Sequence, residues 1–395
     1  MTRPDFDEII DRTGTACSKW DDMEAAYGVS PDDGGLAMWV ADMDFRPPAG
    51  VRRALESVVA QGVYGYPGAN RPYLDAIQWW MENRHGWQID TDWILTCAGL
   101  VNGVAMAIQS CTAPGDGVIL MSPVYHAFAR TIRASGRELV ELPLAQQDGQ
   151  YRMDWANWEK VLTGREKMLI LCSPHNPGGR VWSEAELREV ADFCKARDLI
   201  LVSDDIHCDL LMPHSPRHRM IAPLCPDIAD RLITLTAATK TFNIAGAHLG
   251  NAIIADPALR TRFRNTLMAG GISPNLFGLD MIAAAYSPEG AAWVDALVEY
   301  LDDNRRIFDE GINAIPGLRS MPLEATYLAW VDFSGTGMAP AEFIARVEKT
   351  ARIAANHGNS FGLGGDSWLR FNLATPRTRI TEAVSRLQDA FADLQ

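Results

Sequence analysis

The sequence predicts a two-domain α/β protein: a large domain on a mostly parallel sheet covered by helices, then a smaller α+β domain. Three observations carry this. The chain has 395 residues, too many for one small core. From about residue 92, short apolar runs alternate with stretches of helical spacing, the pattern of successive βαβ units. Those runs are apolar throughout rather than alternating, as in strands covered on both faces.

Taken in order, residues 1–45 are irregular and form an N-terminal segment expected to pack with the small domain. Pro47 and Pro48 stand where a helix would start, and "AGVRRALESVVA" has helical spacing. "RPYLDAIQWWMENRHGW" is a second helix, with Leu74, Ile77, Trp80 and Met81 on its apolar side. Six strands follow: "DWILTCA", "GVILMS", "ELVELPL", "KMLILCS", "LILVSDD" and "RLITLTA". Between them "LVNGVAMAIQSC", "HAFARTIRAS", "WANWEKVLTG" and "SEAELREVADFCKARD" read as helices, the last opened by a Ser-x-x-Glu cap. The large domain is placed at 46–280. The small domain, 281–395, comprises a long helical region, the strands "ATYLAWVDF" and "SWLRFNLAT", and helices around them.

The formal net charge of −14 repels phosphate backbones, which argues against a nucleic-acid partner while leaving room for a local anion pocket. Seven cysteines, an odd number without a CxxC pair, argue against a disulfide framework and for the reducing cytoplasm. The start "MTRPDFDEII" has no apolar core of a secretory signal, and no run is long and apolar enough to predict a membrane span.

In open α/β sheets ligands bind beyond the carboxyl ends of the strands. The residues there are Gly99 and Leu100 entering a helix, Tyr125, Asn176 in "SPHNPGGR", Asp204 and His207, and Thr239 and Lys240. Singly, each has an ordinary structural reading as turn, cap or core. His207, Cys208, His214 and His218 fit no common zinc spacing, so no metal is expected. Together the set is more telling. A buried amine needs a partner or a lowered pKa, and a neutral lysine amine attacks carbonyls. A carboxylate, an aromatic ring and an anion-binding helix terminus around it are what pyridoxal phosphate requires.

"SPHNPGGRVW", "SDDIHCD", "ATKTFNIAG", "ATYLAWVDF" and "WLRFNLATP" resemble fold-type I pyridoxal-phosphate enzymes, the class I/II aminotransferase superfamily. "MWVADMDFRPP", "YGYP" and "RHGW" narrow the resemblance to the bacterial cystathionine β-lyase (cysteine-S-conjugate β-lyase) branch. The resemblance implies a sheet of the seven-stranded type and the following roles. Lys240 would anchor the cofactor covalently and shuttle protons. Asp204 would face the ring nitrogen, Asn176 the ring 3′-oxygen, with His207 near that oxygen. Tyr125 would stack on the ring and belong to the catalytic set with Lys240. Gly99, Leu100 and Thr239 would hold the phosphate. Tyr66, with Tyr64 as the alternative, would reach the phosphate and substrate of a neighbouring subunit, which implies a homodimer with shared active sites. Arg370, with Asn176 and Tyr66, would bind the amino-acid substrate, Arg370 through its α-carboxylate.

Two positions depart from the superfamily pattern. His248 stands where a phosphate-binding arginine is common, and reads either as a phosphate contact or as a buried neutral histidine. Ala237 stands where serine is common. The implied reaction is β-elimination from L-cystathionine or another cysteine S-conjugate to pyruvate, ammonia and a thiol. The alternative is an aminotransferase passing the amino group to a 2-oxo acid.

Overall fold

The structure, a computed structural model, describes residues 4–68 and 70–394; Met1–Arg3 of the N-terminal stretch read above lie outside the described residues. Seven strands form the central sheet: β1 (Ile94–Cys97), β2 (Gly117–Ser122), β3 (Glu138–Pro143), β4 (Glu166–Cys172), β5 (Ile200–Asp204), β6 (Leu232–Thr236) and β7 (Gly250–Ile253). Their spatial order is β1-β7-β6-β5-β4-β2-β3. All neighbours are parallel except β7, which runs antiparallel to both β1 and β6.

The continuous apolar runs have the burial they predict. Every residue of β2, β6 and β7 is buried, while the edge strand β3 is mostly not. Alternate residues feed opposite faces. Val118, Leu120, Met168, Ile170 and Val202 pack under the helix Leu100–Cys111, and Ile119, Leu169, Leu171 and Leu201 under the helix Glu184–Ala196. The latter helix is opened by a reciprocal capping box between Ser183 and Glu186, as its Ser-x-x-Glu signal requires.

Two differences from the sequence reading bear on the central sheet and its connections. "WANWEKVLTG" is helical only over Trp155–Trp158. The chain then turns, because the buried Glu166 carboxylate draws in the N–H groups of Thr163 and Gly164. The second difference is β7, whose "GNAI" carries the glycine and asparagine of a loop signal. Burial overrides that propensity: Asn251 is fully buried and accepts a hydrogen bond from the Tyr73 hydroxyl.

Downstream, Ser287 caps the helix Pro288–Asn313. A four-stranded antiparallel sheet contains Leu328–Asp332 and Trp368–Asn372, paired in register with Trp330 opposite Arg370. The N-terminal segment crosses this region: Leu36–Ala37 pairs in parallel with Ile353–Ala354.

Candidate active site

Strand register sets the rim of the site. Cys172 of β4 lies opposite Asp204 of β5, and Asp204 opposite Leu235 of β6. The three strands therefore end level, and the chain leaving them carries Asn176, Asp204 with His207, and Lys240 onto one edge.

Lys240 lies in a single helical turn, Ala238–Thr241, one residue beyond β6. Its amine donates to the Ala41 carbonyl at 2.5 Å, and the Tyr327 hydroxyl donates to the same oxygen at 2.9 Å. Burial pulls the Lys240 pKa down to about 8, opposed by the charge of Asp42 and reinforced by that of Arg370. The turn is pinned from behind. Thr241 Oγ1 donates to Asp209 at 2.9 Å, and Asp209 also accepts from Trp80 Nε1 and pairs with His85, both at 2.9 Å.

Asp204 is buried, and one of its oxygens accepts the Ile206 N–H at 3.1 Å. Burial drives its pKa up to about 7, with Asp205 adding to the rise and Lys240 opposing it. Such a carboxyl is stabilised as an anion by any cation placed against it. His207 is buried, and burial, with Lys240 and Arg370, holds it neutral at about 3. Its Nδ1 has no hydrogen-bond partner among the described residues.

Arg370 comes from the strand Trp368–Asn372 of the four-stranded sheet and reaches Asn176 beyond the end of β4. It donates to Asn176 Oδ1 at 3.0 Å, to the Trp39 carbonyl at 3.1 Å and to Asn356 Oδ1, and lies over the Phe361 ring at 4.9 Å. All three acceptors are neutral. Burial without a carboxylate lowers its pKa to about 10. Since Asn176 spends its carbonyl on Arg370, its NH2 remains as the donor to a ligand. Tyr125, half-buried at the start of the helix His126–Ala134, feels the charges of both Arg370 and Asp204.

Gly99 adopts φ +83° at the start of the helix Leu100–Cys111, with open space where a Cβ would stand. The N–H groups of that first turn have no carbonyl one turn earlier and face outward as anion donors. Thr239 is buried beside Lys240. Tyr66 is not brought to the site of its own chain: its side chain is wholly exposed, at 102% of the reference area. Tyr64 is exposed as well and donates to the Val59 carbonyl. The reading of His248 as a buried neutral histidine is wrong. It is exposed and left-handed, φ +46°, at the end of the turn Ala245–Ala247. The histidines weighed for a metal do not gather either: His214 is exposed, and His218 pairs with Asp205 at 3.0 Å.

The segment 38–45 was not read as part of the site, yet it closes one side. It offers the Trp39 and Ala41 carbonyls to Arg370 and Lys240. Asn372 Nδ2 binds the Val40 and Asp42 carbonyls, and the Asn243 side chain binds Met43 and Phe45. Buried Asp44 anchors the segment through Arg12, Lys19 and Trp20. Two carboxylates inside the apolar run "MWVADMDF" were the available signal.

This donor set fits pyridoxal phosphate. A near-neutral amine, a buried carboxyl without an ion-pair partner among the described residues, an imidazole nitrogen and the Arg370 Nε likewise without hydrogen-bond partners among them, and open amides at a glycine with room beside it are the complement of that group.

Comparison with known proteins agrees. Residues 42–387 match the family model "Aminotransferase class I and II". Cystathionine β-lyase PatB of Bacillus subtilis is 35% identical over 390 residues, spanning 98% of this chain and 100% of that one. The crystal structure of cystalysin from Treponema denticola, which contains a pyridoxal 5′-phosphate cofactor, superposes with a TM-score of 0.94 at 36% identity and covers 100% of both chains. The PLP-bound C–S lyase from Staphylococcus hominis follows at 0.89 and 29% identity, covering 99% of this chain and 98% of that one.

Proposed function

The chain belongs to the class I and II aminotransferase family, and from that membership and its site we infer that it is a pyridoxal-phosphate-dependent carbon–sulfur β-lyase. It acts on L-cystathionine or another cysteine S-conjugate. The observation that carries the residue roles is the meeting of Lys240, Asp204, Asn176 and Arg370 on one rim, each lacking the partner that the cofactor or an amino acid supplies.

Lys240 would anchor the cofactor, Asp204 would stand against its ring nitrogen, the Asn176 NH2 and His207 would face its ring oxygen, and Tyr125 would stack on it. Gly99, Leu100 and Thr239 would take the phosphate. When bound, pyridoxal phosphate stores the electron pair left at Cα. The chain's own residues do the rest. Arg370 fixes the substrate α-carboxylate with a two-pronged grip, because its other partners are neutral oxygens. Lys240 takes the Cα proton, its amine kept near neutrality by burial and aimed by the Ala41 carbonyl. The Cβ–S bond then breaks, and sulfur leaves with its electron pair to be protonated as a thiol. The remaining 2-aminoacrylate hydrolyses to pyruvate and ammonia. The exposed Tyr66, with Val63 and Tyr64 also exposed, supports a homodimer in which Tyr66 completes the neighbouring site. Seven unpaired cysteines support the cytoplasm.

The test is incubation of the holoenzyme with L-cystathionine or an S-alkyl cysteine in the absence of any 2-oxo acid. Sustained pyruvate release is expected. Turnover that stalls after one equivalent and resumes with 2-oxoglutarate would make the enzyme an aminotransferase.

A further inference from the structure

Beyond Arg370 the site continues along the helix His126–Ala134. The Arg370 guanidinium covers Phe361 at 4.9 Å, and the Phe361 ring meets the His126 ring edge-on at 5.7 Å. His126 also packs against Tyr125, ring centres 4.9 Å apart. It is half-buried, and its Nδ1 is buried with no partner among the described residues. Burial, with the charges of Arg370 and Arg130, pulls its pKa down to about 4, so it stays a neutral donor and acceptor at physiological pH.

Arg130 lies four residues on, on the same face of the helix. Helical side chains lean toward the N-terminus of their helix, which carries its guanidinium back toward His126 and Tyr125, both of which feel its charge. It is exposed and has no ion-pair partner among the described residues, in a chain of net charge −14. An unpaired cation next to an unpartnered neutral imidazole, one aromatic ring away from the α-carboxylate anchor, makes a complement to a second anion.

We propose that His126 and Arg130 form a subsite for a carboxylate at the distal end of the sulfur substituent, so that the enzyme favours S-conjugates with an anionic leaving group. The assignment rests on the β-lyase reading of the same site. Arg370 holds the α-carboxylate and Arg130 the distal one, and the thioether spans the Phe361 ring between them.

The test compares S-(2-carboxyethyl)-L-cysteine with its neutral isostere S-(2-carbamoylethyl)-L-cysteine on the holoenzyme. The wild type is expected to favour the acid in kcat/KM. Arg130→Gln should lower that acid-to-amide ratio about fivefold, the range of a partly exposed ion pair, and Arg130→Lys should retain most of it. Added salt should erode the wild-type preference, which a merely structural role would not produce. A wild-type ratio near one, or a ratio that Arg130→Gln leaves within twofold, overturns the proposal. Dissociation constants for the two conjugates, read from the absorbance of the bound cofactor, keep the tests separate. If neither conjugate releases pyruvate the β-lyase reading fails, while the ratio of dissociation constants still decides the subsite.

Discussion

Replacing Asp44 by asparagine tests whether the segment that closes the site is held by buried charge. Asp44 and Lys19 side chains are both fully buried and 3.0 Å apart. Arg12 at 2.8 Å, Arg379 at 3.3 Å and the Trp20 indole at 3.0 Å complete the shell of the carboxylate. Burial opposes the charge, but Lys19 leads the partners that overcome it and bring the Asp44 pKa from 3.8 to about 2. At about 1.4 kcal/mol per tenfold change, that difference is worth about 2.5 kcal/mol of stability. The sign follows from the lowered value: the contribution is complete above pH 3.8 and is lost as the pH falls through 2. Asparagine also leaves Lys19 buried beside only Asp42, at 3.7 Å, so the cost at pH 7 is set at about 3 kcal/mol, the lower end for a broken buried pair. Urea unfolding of the holoenzyme measures it, and the gap to wild type should narrow as the pH drops below 4. Lys19→Met in the Asp44→Asn background should recover at least half of the loss, because the uncompensated charge is gone. Because residues 39 and 41 supply the carbonyls that Arg370 and Lys240 use, Asp44→Asn should also speed cofactor loss on dialysis. A cost below about 1 kcal/mol at pH 7, or no recovery in the double variant, refutes the reasoning.

Capture of the cofactor aldehyde by the apoenzyme requires a neutral Lys240. Its lowered pKa means that the incorporation rate, followed by absorbance, should climb with pH and level off above about 8; a climb that continues to pH 10 contradicts the burial argument. Arg370→Lys keeps the charge but loses the planar fork, so kcat/KM should fall about thirtyfold while the cofactor spectrum stays intact. A fall of less than threefold would remove Arg370 from the role of carboxylate anchor.

How far the fold could be read from sequence depended on which force decided each element. Strands β2, β4, β5 and β6 are buried on both faces, so composition alone marks them. Helix ends were legible where a cap is a side chain, as at Ser183. Strand β7 was illegible because it is an antiparallel insertion between two strands distant in sequence, and its pairing with β1 and β6 outweighs the loop propensity of Gly250 and Asn251. No local pattern encodes a partner about 150 residues away.

The same distinction governs the site. Lys240, Asp204, Asn176 and Arg370 could be picked out because each is a polar side chain set into an apolar run, where burial without function would be costly. The groups that aim them are mostly backbone carbonyls, those of Trp39 and Ala41, and a carbonyl has no letter in the sequence. What the sequence does carry is the means of fixing those carbonyls. Asn243, Asn372 and Asp44 are spread over more than 300 residues, and each spends its polar atoms on residues 38–45 or on the cations that hold them. Asn243 shares the stretch "ATKTFNIAG" with Lys240, so one short motif carries both the amine and a clamp on the segment that directs it. His248, two residues beyond that stretch, shows the limit of reading position by position. Its place suggested a phosphate ligand or a core residue, but its own left-handed backbone, just after the turn Ala245–Ala247, puts it on the surface of the chain, where backbone geometry and not residue type decides what it can touch.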